Sequence, residues 1–248
     1  MSIIDFSNAK SITMPKGEVT KITDVSGNVI WEAITSRIPS EYQEVTWIAT
    51  DGNQAINTGV MASDYQSGIE YVFKGNCTGL HSSKSNNYLF GCLASGKRSA
   101  NLSWHISNML QIMIGGTADN IYGGGNVSRN EDFTIRVRGT SSAIEDVTAT
   151  YNGLSMSRSS AQGANCAMPS ANIYLLAANI NGNYTSSTSA PFTGKLYGFT
   201  MLDMSGSEIC DLVPCYRKSD GVIGVYDIVR KTFLTNVGSG SFTKGADV

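Results

Sequence analysis

The stretch Asp211-Leu-Val-Pro-Cys-Tyr-Arg-Lys-Ser-Asp-Gly-Val-Ile-Gly-Val-Tyr-Asp227 is typical of two β-strands joined by a polar turn. Asp220-Gly221 favours the turn, because aspartate hydrogen-bonds its own backbone and glycine accepts positive φ. A short alternating strand is expected from Val222 to Tyr226. Pro214 has no N–H to donate to a ladder, so it predicts an edge or the end of pairing.

The same period of two recurs along the chain. Leu102, Trp104 and Ile106 alternate with polar residues, which indicates a sheet with one buried and one wetter face. Tyr42 to Thr50 is predicted to be the first strand of the sandwich. Residues 173–178 are apolar throughout and predict a central strand. We expect that strand, Trp47 and Trp104 to be largely buried. No long apolar pattern has a period of 3.6, so the predicted fold class is all-β, a two-sheet antiparallel sandwich.

Both ends of this predicted domain resemble a known family. The quoted stretch, with 233–236 and Gly238-Ser-Gly-Ser-Phe-Thr-Lys-Gly245, resembles the closing segment of laminin-G/concanavalin-A-like jelly-roll domains. Residues 42–59 resemble the opening segment of the same family. Such domains occur in phage tail and prophage proteins of Gram-positive bacteria. The resemblance implies a jelly-roll fold and a place in a virion, and it implies no particular ligand.

The first 36 residues differ from the rest. Strands are predicted at Lys10–Met14, Glu18–Thr23 and Val29–Trp31, and so small a β-meander has little core of its own. The segment resembles N-terminal segments of phage tail proteins. We therefore expect residues 1–36 to attach to other virion proteins and residues 37–248 to form the jelly-roll domain. A packed N-terminal extension of the sandwich remains the alternative.

Composition excludes several classes of protein. The net charge is −2 without a basic block, so no nucleic-acid partner is expected. No run approaches the ~18 apolar residues that span a bilayer, and no membrane insertion is expected. The N-terminus lacks the pattern of a secretion signal, which predicts synthesis in a cytoplasm. The resemblance to phage proteins implies that this is the cytoplasm of a bacterial host and that the protein becomes part of a virion. The five cysteines are irregularly spaced, which favours reduced, buried thiols over a disulfide framework or a zinc site.

Acidic residues show no pattern that predicts catalysis. Glycoside hydrolases need two carboxylates about 5–9.5 Å apart. Glu145 and Asp146 are adjacent and would face opposite ways on a strand, while Glu208 and Asp211 are three apart beside a turn. A non-enzymatic protein without cofactors is therefore expected. A carbohydrate-active enzyme on the same fold and a purely structural spacer remain alternatives.

Two oxygen-rich clusters could hold calcium, which prefers hard oxygen ligands. They are Asp51-Gly-Asn53 and Asp119-Asn120. Both are also ordinary turn sequences, and the turn is the favoured interpretation. No metal site is predicted, and calcium binding stays an open question.

Two polar loops, each with one tyrosine, are the candidate glycan-binding sites. Amide and hydroxyl groups pair with sugar hydroxyls, and an aromatic ring covers the apolar face of a sugar. The candidate residues are Asp119, Asn120, Tyr122 and Asn126 in the first loop, and Asn181, Asn183 and Tyr184 in the second. The expected partner is a host-surface glycan. A homo-oligomer is also expected, and a trimer is compatible with it.

Overall fold

The computed structural model describes residues 12–14, 17–19, 21–23, 29–32, 37–94, 97–105, 109–115, 120–122, 128–140, 146–160, 167–184 and 189–248. The chain divides into two compact units, Met1–Ser40 and Glu41–Val248. Within the described ranges there is no helix of the length and apolarity needed to cross a membrane.

The first unit contains four short strands. They are β1 (Ile12–Met14), β2 (Gly17–Val19), β3 (Lys21–Thr23) and β4 (Val29–Glu32). β1 pairs with β2 and β3 pairs with β4, each antiparallel. The predicted strand Glu18–Thr23 is therefore two strands, because β2 and β3 belong to different hairpins.

The second unit contains the remaining strands and one described 3₁₀ turn, Ala62–Tyr65. The strands are β5 (Tyr42–Glu44), β6 (Ile48–Asp51), β7 (Ile56–Met61), β8 (Ile69–Gly79), β9 (Asn86–Ala94), β10 (Lys97–His105), β11 (Met109–Met113), β12 (Asn120–Tyr122), β13 (Asp132–Gly139), β14 (Thr148–Tyr151), β15 (Leu154–Ser155), β16 (Arg158–Ser160), β17 (Asn172–Leu175), β18 (Asn179–Ile180), β19 (Ser189–Pro191), β20 (Thr193–Leu202), β21 (Glu208–Arg217), β22 (Ile223–Asp227), β23 (Thr232–Thr235) and β24 (Thr243–Lys244).

These strands form two sheets. A nine-stranded sheet has the order β16-β12-β11-β10-β9-β17-β7, with β18 and β19 also paired to β9. An eleven-stranded sheet has the order β15-β14-β13-β8-β20-β21-β22-β23, with β5 paired to β21, β6 paired to β20 and β24 paired to β6. Apart from the two parallel pairs of β9 with β18 and β19, the described pairings in these sheets are antiparallel. The predicted all-β jelly-roll sandwich is confirmed.

The core lies between the inner faces of the two sheets. Alternate residues of β8, Tyr71 and Phe73, are buried with Phe199 of the adjacent strand β20. From the other sheet, Phe90 lies 4.4 Å from Tyr71 between ring centroids. Trp104 packs on Phe133 at 5.5 Å and is 0% exposed, which confirms its predicted burial.

Two core predictions are only partly right. In the predicted central strand, Tyr174 is half-buried and the strand ends at Leu175, because Leu176 adopts a φ of 65°. Trp47 is half-buried, with the Lys195 ammonium 4.7 Å from its ring centroid, so its predicted burial is wrong. Trp47 lies in the connection between β5 and β6, where strand alternation does not set the direction of a side chain.

The closing stretch forms the predicted hairpin of β21 and β22. The Asp220 carboxylate accepts hydrogen bonds from the Arg217 guanidinium and from the Val222 N–H at 3.1 Å. The paired guanidinium, named first, and the Val222 N–H hold the pKa of Asp220 below its usual value. Gly221 has a φ of 71°, as the predicted turn requires.

Pro214 lies inside β21, but the pairing of β21 with β20 ends before it, as predicted for a residue without an N–H. β21 pairs with β20 up to Leu212 and with β5 from Cys215 onward. Pro214 lies between these two segments, and its carbonyl accepts from the Val45 N–H. Because the neighbouring strand changes there, the missing proline N–H costs no ladder bond.

Candidate functional site

The first predicted glycan loop is partly a strand. Asn120 and Tyr122 lie in β12, in register with Ile112 and Leu110 of β11, so their assignment to a loop is corrected. The glycine-rich flanks of this short segment have the composition of a loop, and only pairing with β11 reveals the strand. Asp119 and Asn126 lie outside the described residues.

The second predicted loop is a tight turn. Asn181 and Gly182 have φ angles of 50° and 90°, as a two-residue hairpin turn requires. The Asn179 Oδ1 accepts from the Gly182 N–H at 2.8 Å and helps to hold the turn. Asn183 is exposed beside it, and Tyr184 is half-buried. The structure therefore brings Asn181, Asn183 and Tyr184 together, and their binding of glycan stays a prediction.

Replacing both Tyr122 and Tyr184 by alanine is expected to weaken adsorption to cells or cell-wall glycan while leaving the melting temperature nearly unchanged. One sugar on one tyrosine gains little, but repetition on an oligomer raises avidity by ~10²–10⁴. Tyr197→Ala, on the eleven-stranded sheet, is the control for losing a half-buried tyrosine. Unchanged adsorption, or a fall in melting temperature, would identify Tyr122 and Tyr184 as packing residues.

A different group of polar residues shares one face of the nine-stranded sheet. On β10, Leu102 and Trp104 are fully buried in the core, so Asn101 and Ser103 lie on the opposite face. Ser103 is in register with Gln111 of β11 on one side and with Tyr88 of β9 on the other. Asn86 lies farther along β9 on the same face, in register with His105. We call Asn86, Tyr88, Asn101, Ser103 and Gln111 the polar face.

The polar face is shielded from solvent and yet incompletely hydrogen-bonded. Asn101 is 1% exposed and Ser103 is 0% exposed. Among the described residues there is no hydrogen-bond partner for Asn86 Oδ1, for Asn101 Oδ1 and Nδ2, for Ser103 Oγ or for Gln111 Oε1. An unpaired buried polar group costs about 1–3 kcal/mol. Because Tyr88, Asn101 and Ser103 are at most 1% exposed, these five atoms on three adjacent strands form a buried cluster and not an open surface for a ligand.

Sequence analysis expected a wetter face here and did not predict this cluster. Asn101 and Ser103 are shielded from solvent, so that expectation is wrong for this part of β10. The alternation of Leu102 and Trp104 with Ser103 and His105 contains the signal for one strand. Which residues of β9 and β11 lie beside Ser103 depends on strand order and register, which a single sequence does not specify.

The strands of the nine-stranded sheet carry few groups that exchange a proton near neutral pH. Within their stated bounds, none of its nine strands contains aspartate or glutamate. The sheet therefore offers no carboxylate pair of the kind that glycoside hydrolysis uses. Its polar side chains at the centre are neutral amides and a hydroxyl, which donate and accept hydrogen bonds without changing charge.

Carboxylates on the eleven-stranded sheet are engaged in hydrogen bonds. The Tyr197 hydroxyl donates to Asp132 Oδ1 at 2.5 Å, and Asn76 Nδ2 donates to the same oxygen at 2.8 Å. These two hydrogen bonds, that of Tyr197 first, hold the pKa of Asp132 below its usual value. Burial and the bond to Asp132 raise the pKa of Tyr197 to about 12. A carboxylate held ionised in this way is a poor proton donor at neutral pH.

The predicted turn at residues 51–53 is confirmed. Asn53 Nδ2 donates to Asp51 Oδ1 at 3.0 Å, and the Gly52 N–H donates to Thr50 Oγ1 at 3.0 Å. In the part of the chain that is described, no three His, Cys, Asp or Glu residues are grouped as metal ligands would be. Asp119 of the second oxygen-rich cluster lies outside that part.

Four of the cysteines are buried free thiols, as predicted. They are Cys77, Cys92, Cys210 and Cys215. Burial raises the pKa of Cys77, Cys92 and Cys215 to about 12, and that of Cys210 is raised further for the same reason. These thiols are therefore not activated as nucleophiles. Cys166 lies outside the described residues.

No family model and no curated protein matches this chain. Among solved structures, Trypanosoma rangeli sialidase in complex with the inhibitor DANA is similar at 14% identity and a TM-score of 0.34, over 53% of this chain and 20% of that chain. The same enzyme in complex with 2,3-difluorosialic acid is similar at 11% identity and a TM-score of 0.38, over 77% and 34%. The full extracellular region of zebrafish Gpr126/Adgrg6 is similar at 13% identity and a TM-score of 0.43, over 87% and 27%. The chain thus spans at most 34% of these proteins, and at such TM-scores the likeness carries no argument.

Proposed function

We propose that this chain is a non-enzymatic phage or prophage virion protein, of the tail tip or of a fibre, whose jelly-roll domain binds glycan on the host surface. The observation that supports binding is the turn at Asn181-Gly182, beside which Asn183 is exposed and Tyr184 is half-buried. Neutral amide and hydroxyl groups are suited to the hydroxyls of a sugar. The place in a virion is supported by the resemblance of residues 42–59, 213–227, 233–236 and 238–245 to phage tail domains.

The absence of acidic residues from the strands of the nine-stranded sheet supports binding without hydrolysis. A hydrolase would need an acid and a nucleophile or base on either side of the scissile bond. A ligand held on this sheet would meet neither from these strands. The chain would therefore act by adhesion, and repetition of the domain on an oligomer would strengthen it.

A glycan array tests the proposed function directly. The full chain, fluorescently labelled, is applied to an array of neutral and acidic oligosaccharides, and the supernatant is assayed for released sugar. Retention on glycans without release of sugar is the expected result. Release of reducing sugar would favour the carbohydrate-active enzyme instead. Retention on no glycan would favour the structural spacer.

Residues 1–36 are proposed to attach this domain to other virion proteins, in a homo-oligomer for which a trimer is one arrangement. All strands of the two large sheets lie between Tyr42 and Lys244, and so does the described core from Val45 to Phe242.

Deletion of residues 1–36 is expected to leave a folded sandwich that no longer docks to a particle. The circular dichroism spectrum and melting temperature should stay close to those of the full chain. Deletion from Thr232 onward is the control, because it removes β23 and β24, which pair with β22 and β6 and should be needed for folding. If the chain without residues 1–36 unfolds, the boundary at 36 is wrong.

A further inference from the structure

Resting on the proposed function, we infer that Arg136 and Arg138 form a second glycan-binding site, on the outer face of the eleven-stranded sheet, that takes the carboxylate of an acidic sugar. Both arginines lie on β13, where they alternate with Ile135 and Val137 of the core. They therefore point away from the core, about 7 Å apart along the strand. Their side chains are 59% and 46% exposed, so a ligand in solution can reach them.

The buried carboxylate of Glu70 fixes the position of both guanidinium groups. Glu70 lies on β8, in register with Arg138, and its side chain is 2% exposed. Its Oε1 accepts from Arg136 Nε at 2.5 Å, and its Oε2 accepts from Arg138 Nη1 at 3.1 Å. Arg138 Nη2 also donates to the Met204 carbonyl at 3.2 Å. Because the guanidinium groups are already held, less conformational freedom is lost when a ligand binds.

Two arginines on one carboxylate leave positive charge and N–H groups for a ligand. A guanidinium has five N–H donors, and Glu70 and Met204 use only some of those of each arginine. The other N–H groups have no partner among the described residues. Glu70 neutralises one of the two guanidinium groups, so the three side chains together keep a charge of about +1 at neutral pH. A planar carboxylate matches the N–H fork of a guanidinium and would balance that charge.

The surrounding face also has the charge that suits an acidic ligand. The strands β14, β13, β8 and β20 are adjacent in the sheet. Within their bounds four residues are basic and two are acidic, a net charge of +2 on a chain whose total is −2. The basic residues are Lys74, Arg136, Arg138 and Lys195, and the acidic residues are Glu70 and Asp132. This part of the sheet is therefore opposite in charge to the chain as a whole.

Acidic residues of the adjoining turns and of β21 limit the range of this attraction. Those described are Glu131, Asp146, Asp203, Glu208 and Asp211. Glu208 and Asp211 lie on β21, which β8 and β20 separate from β13 by about 14 Å. Asp203 accepts hydrogen bonds from Ser205 in its own turn. Glu131 and Asp146 are exposed, so solvent screens them. The attraction is therefore short-ranged, and binding should weaken as the salt concentration rises.

Neutral hydroxyl groups lie beside the two arginines. Thr150 and Thr148 of β14 are in register with Arg136 and Arg138. Both threonines alternate with Ala149, which is buried in the core, so they share the outer face with the arginines. A threonine hydroxyl both donates and accepts hydrogen bonds, as a sugar hydroxyl does. The ring of a sugar whose carboxylate binds Arg136 would therefore meet hydroxyl groups on the next strand.

Replacement of Arg136 tests the site, because Arg138 still pairs with Glu70 in such variants. Arg136→Gln should lower the ratio of retention on an acidic glycan to retention on its neutral counterpart about 1.5–5-fold, the value of one exposed ion pair. Arg136→Lys keeps a positive charge for Glu70 and loses the N–H fork, so it should lower the ratio by a smaller factor. Arg217→Gln is the matched control, because Arg217 is 41% exposed and is also paired with a carboxylate.

The experiment uses the full chain and two probes that differ in charge, an oligogalacturonate and its methyl ester, immobilised at the same density beside the wider array described above. We expect stronger retention on the oligogalacturonate, a preference that falls as sodium chloride is added, and stronger retention on the acidic than on the neutral members of the array. The ratio within one variant does not depend on the fraction of protein that is folded. If Arg136→Gln lowers the melting temperature, Arg136→Lys, which keeps the ion pair, decides the test.

The possible failures of the inference and of the proposed function are distinct. Equal or stronger retention on neutral glycans, or a ratio unchanged in both Arg136 variants, would overturn the inference and leave glycan binding in place. Equal retention on an immobilised DNA oligonucleotide would show attraction to any polyanion and would overturn it as well. Retention on none of the array glycans would remove the proposed function itself.

Discussion

Replacement of Trp104 by alanine is expected to lower the free energy of unfolding by about 3–5 kcal/mol, the range for a large buried aromatic side chain. Trp104 is 0% exposed and packs on Phe133 across the sandwich, so its removal leaves a cavity that both sheets would have to move to fill. Urea unfolding followed by circular dichroism measures the effect, because this signal does not depend on the tryptophan removed.

Two further substitutions test the cause of that loss. Trp104→Phe keeps most of the ring and removes the Nε1 donor, which has no partner among the described residues, so it should cost clearly less than alanine. Trp47→Ala removes a half-buried ring at the surface and should also cost less. Equal losses for Trp47→Ala and Trp104→Ala would contradict the placement of Trp104 in the core.

Replacement of Asp227 by alanine is expected to lower the free energy of unfolding by about 1–3 kcal/mol, the cost of leaving buried donors without a partner. Asp227 is 0% exposed and Arg230 is 32% exposed, and the carboxylate accepts from Arg230 Nε at 2.5 Å and from the N–H groups of Val229 and Arg230 at 3.0 and 3.2 Å. Without it the two backbone N–H groups lose this acceptor, while solvent can still hydrate the guanidinium. The Arg230 guanidinium also donates to the Thr58 carbonyl of β7, so the same group joins the two sheets at one edge.

An exposed ion pair provides the matched control. Arg217 and Asp220 are also three residues apart and are joined by hydrogen bonds, but both side chains are about two-fifths exposed, at 41% and 42%. Solvent screens such a pair, so Asp220→Ala should change the urea midpoint little. If Asp220→Ala and Asp227→Ala shift the midpoint equally, burial is not what makes Asp227 important.

Strand alternation predicted the faces of the core correctly wherever the strands are regular. Leu102 and Trp104 are two residues apart on β10, so both side chains lie on the same face of the strand, which is buried. The alternation with polar residues that predicts this face can be seen in a few consecutive residues of the sequence. The pattern failed at Trp47, which lies between two strands, and at Leu176, where positive φ ends the predicted strand. In both places the backbone leaves the extended conformation on which the period of two depends.

The candidate loops show a second limit of predicting secondary structure from neighbouring residues alone. Composition places Tyr122 in a loop because glycines flank it, whereas hydrogen bonding to β11 places it in a strand. The turn at Asn181-Gly182 was accessible to sequence, because few residues adopt positive φ at two successive positions. Local chemistry determines a turn, but pairing with a distant segment determines a strand of three residues.

By itself, the sequence determined the all-β class, the burial of the four described thiols and the closing hairpin. These follow from the period of the apolar residues, from turn chemistry and from composition, each of which acts over a few residues. Only the tertiary structure decided that Asn86, Asn101, Ser103 and Gln111 share one face with five unpaired atoms among the described residues. Strand order and register bring together residues that are up to 25 positions apart in the sequence, from 86 to 111. An unpaired atom can be recognised only when all of its neighbours in space are known.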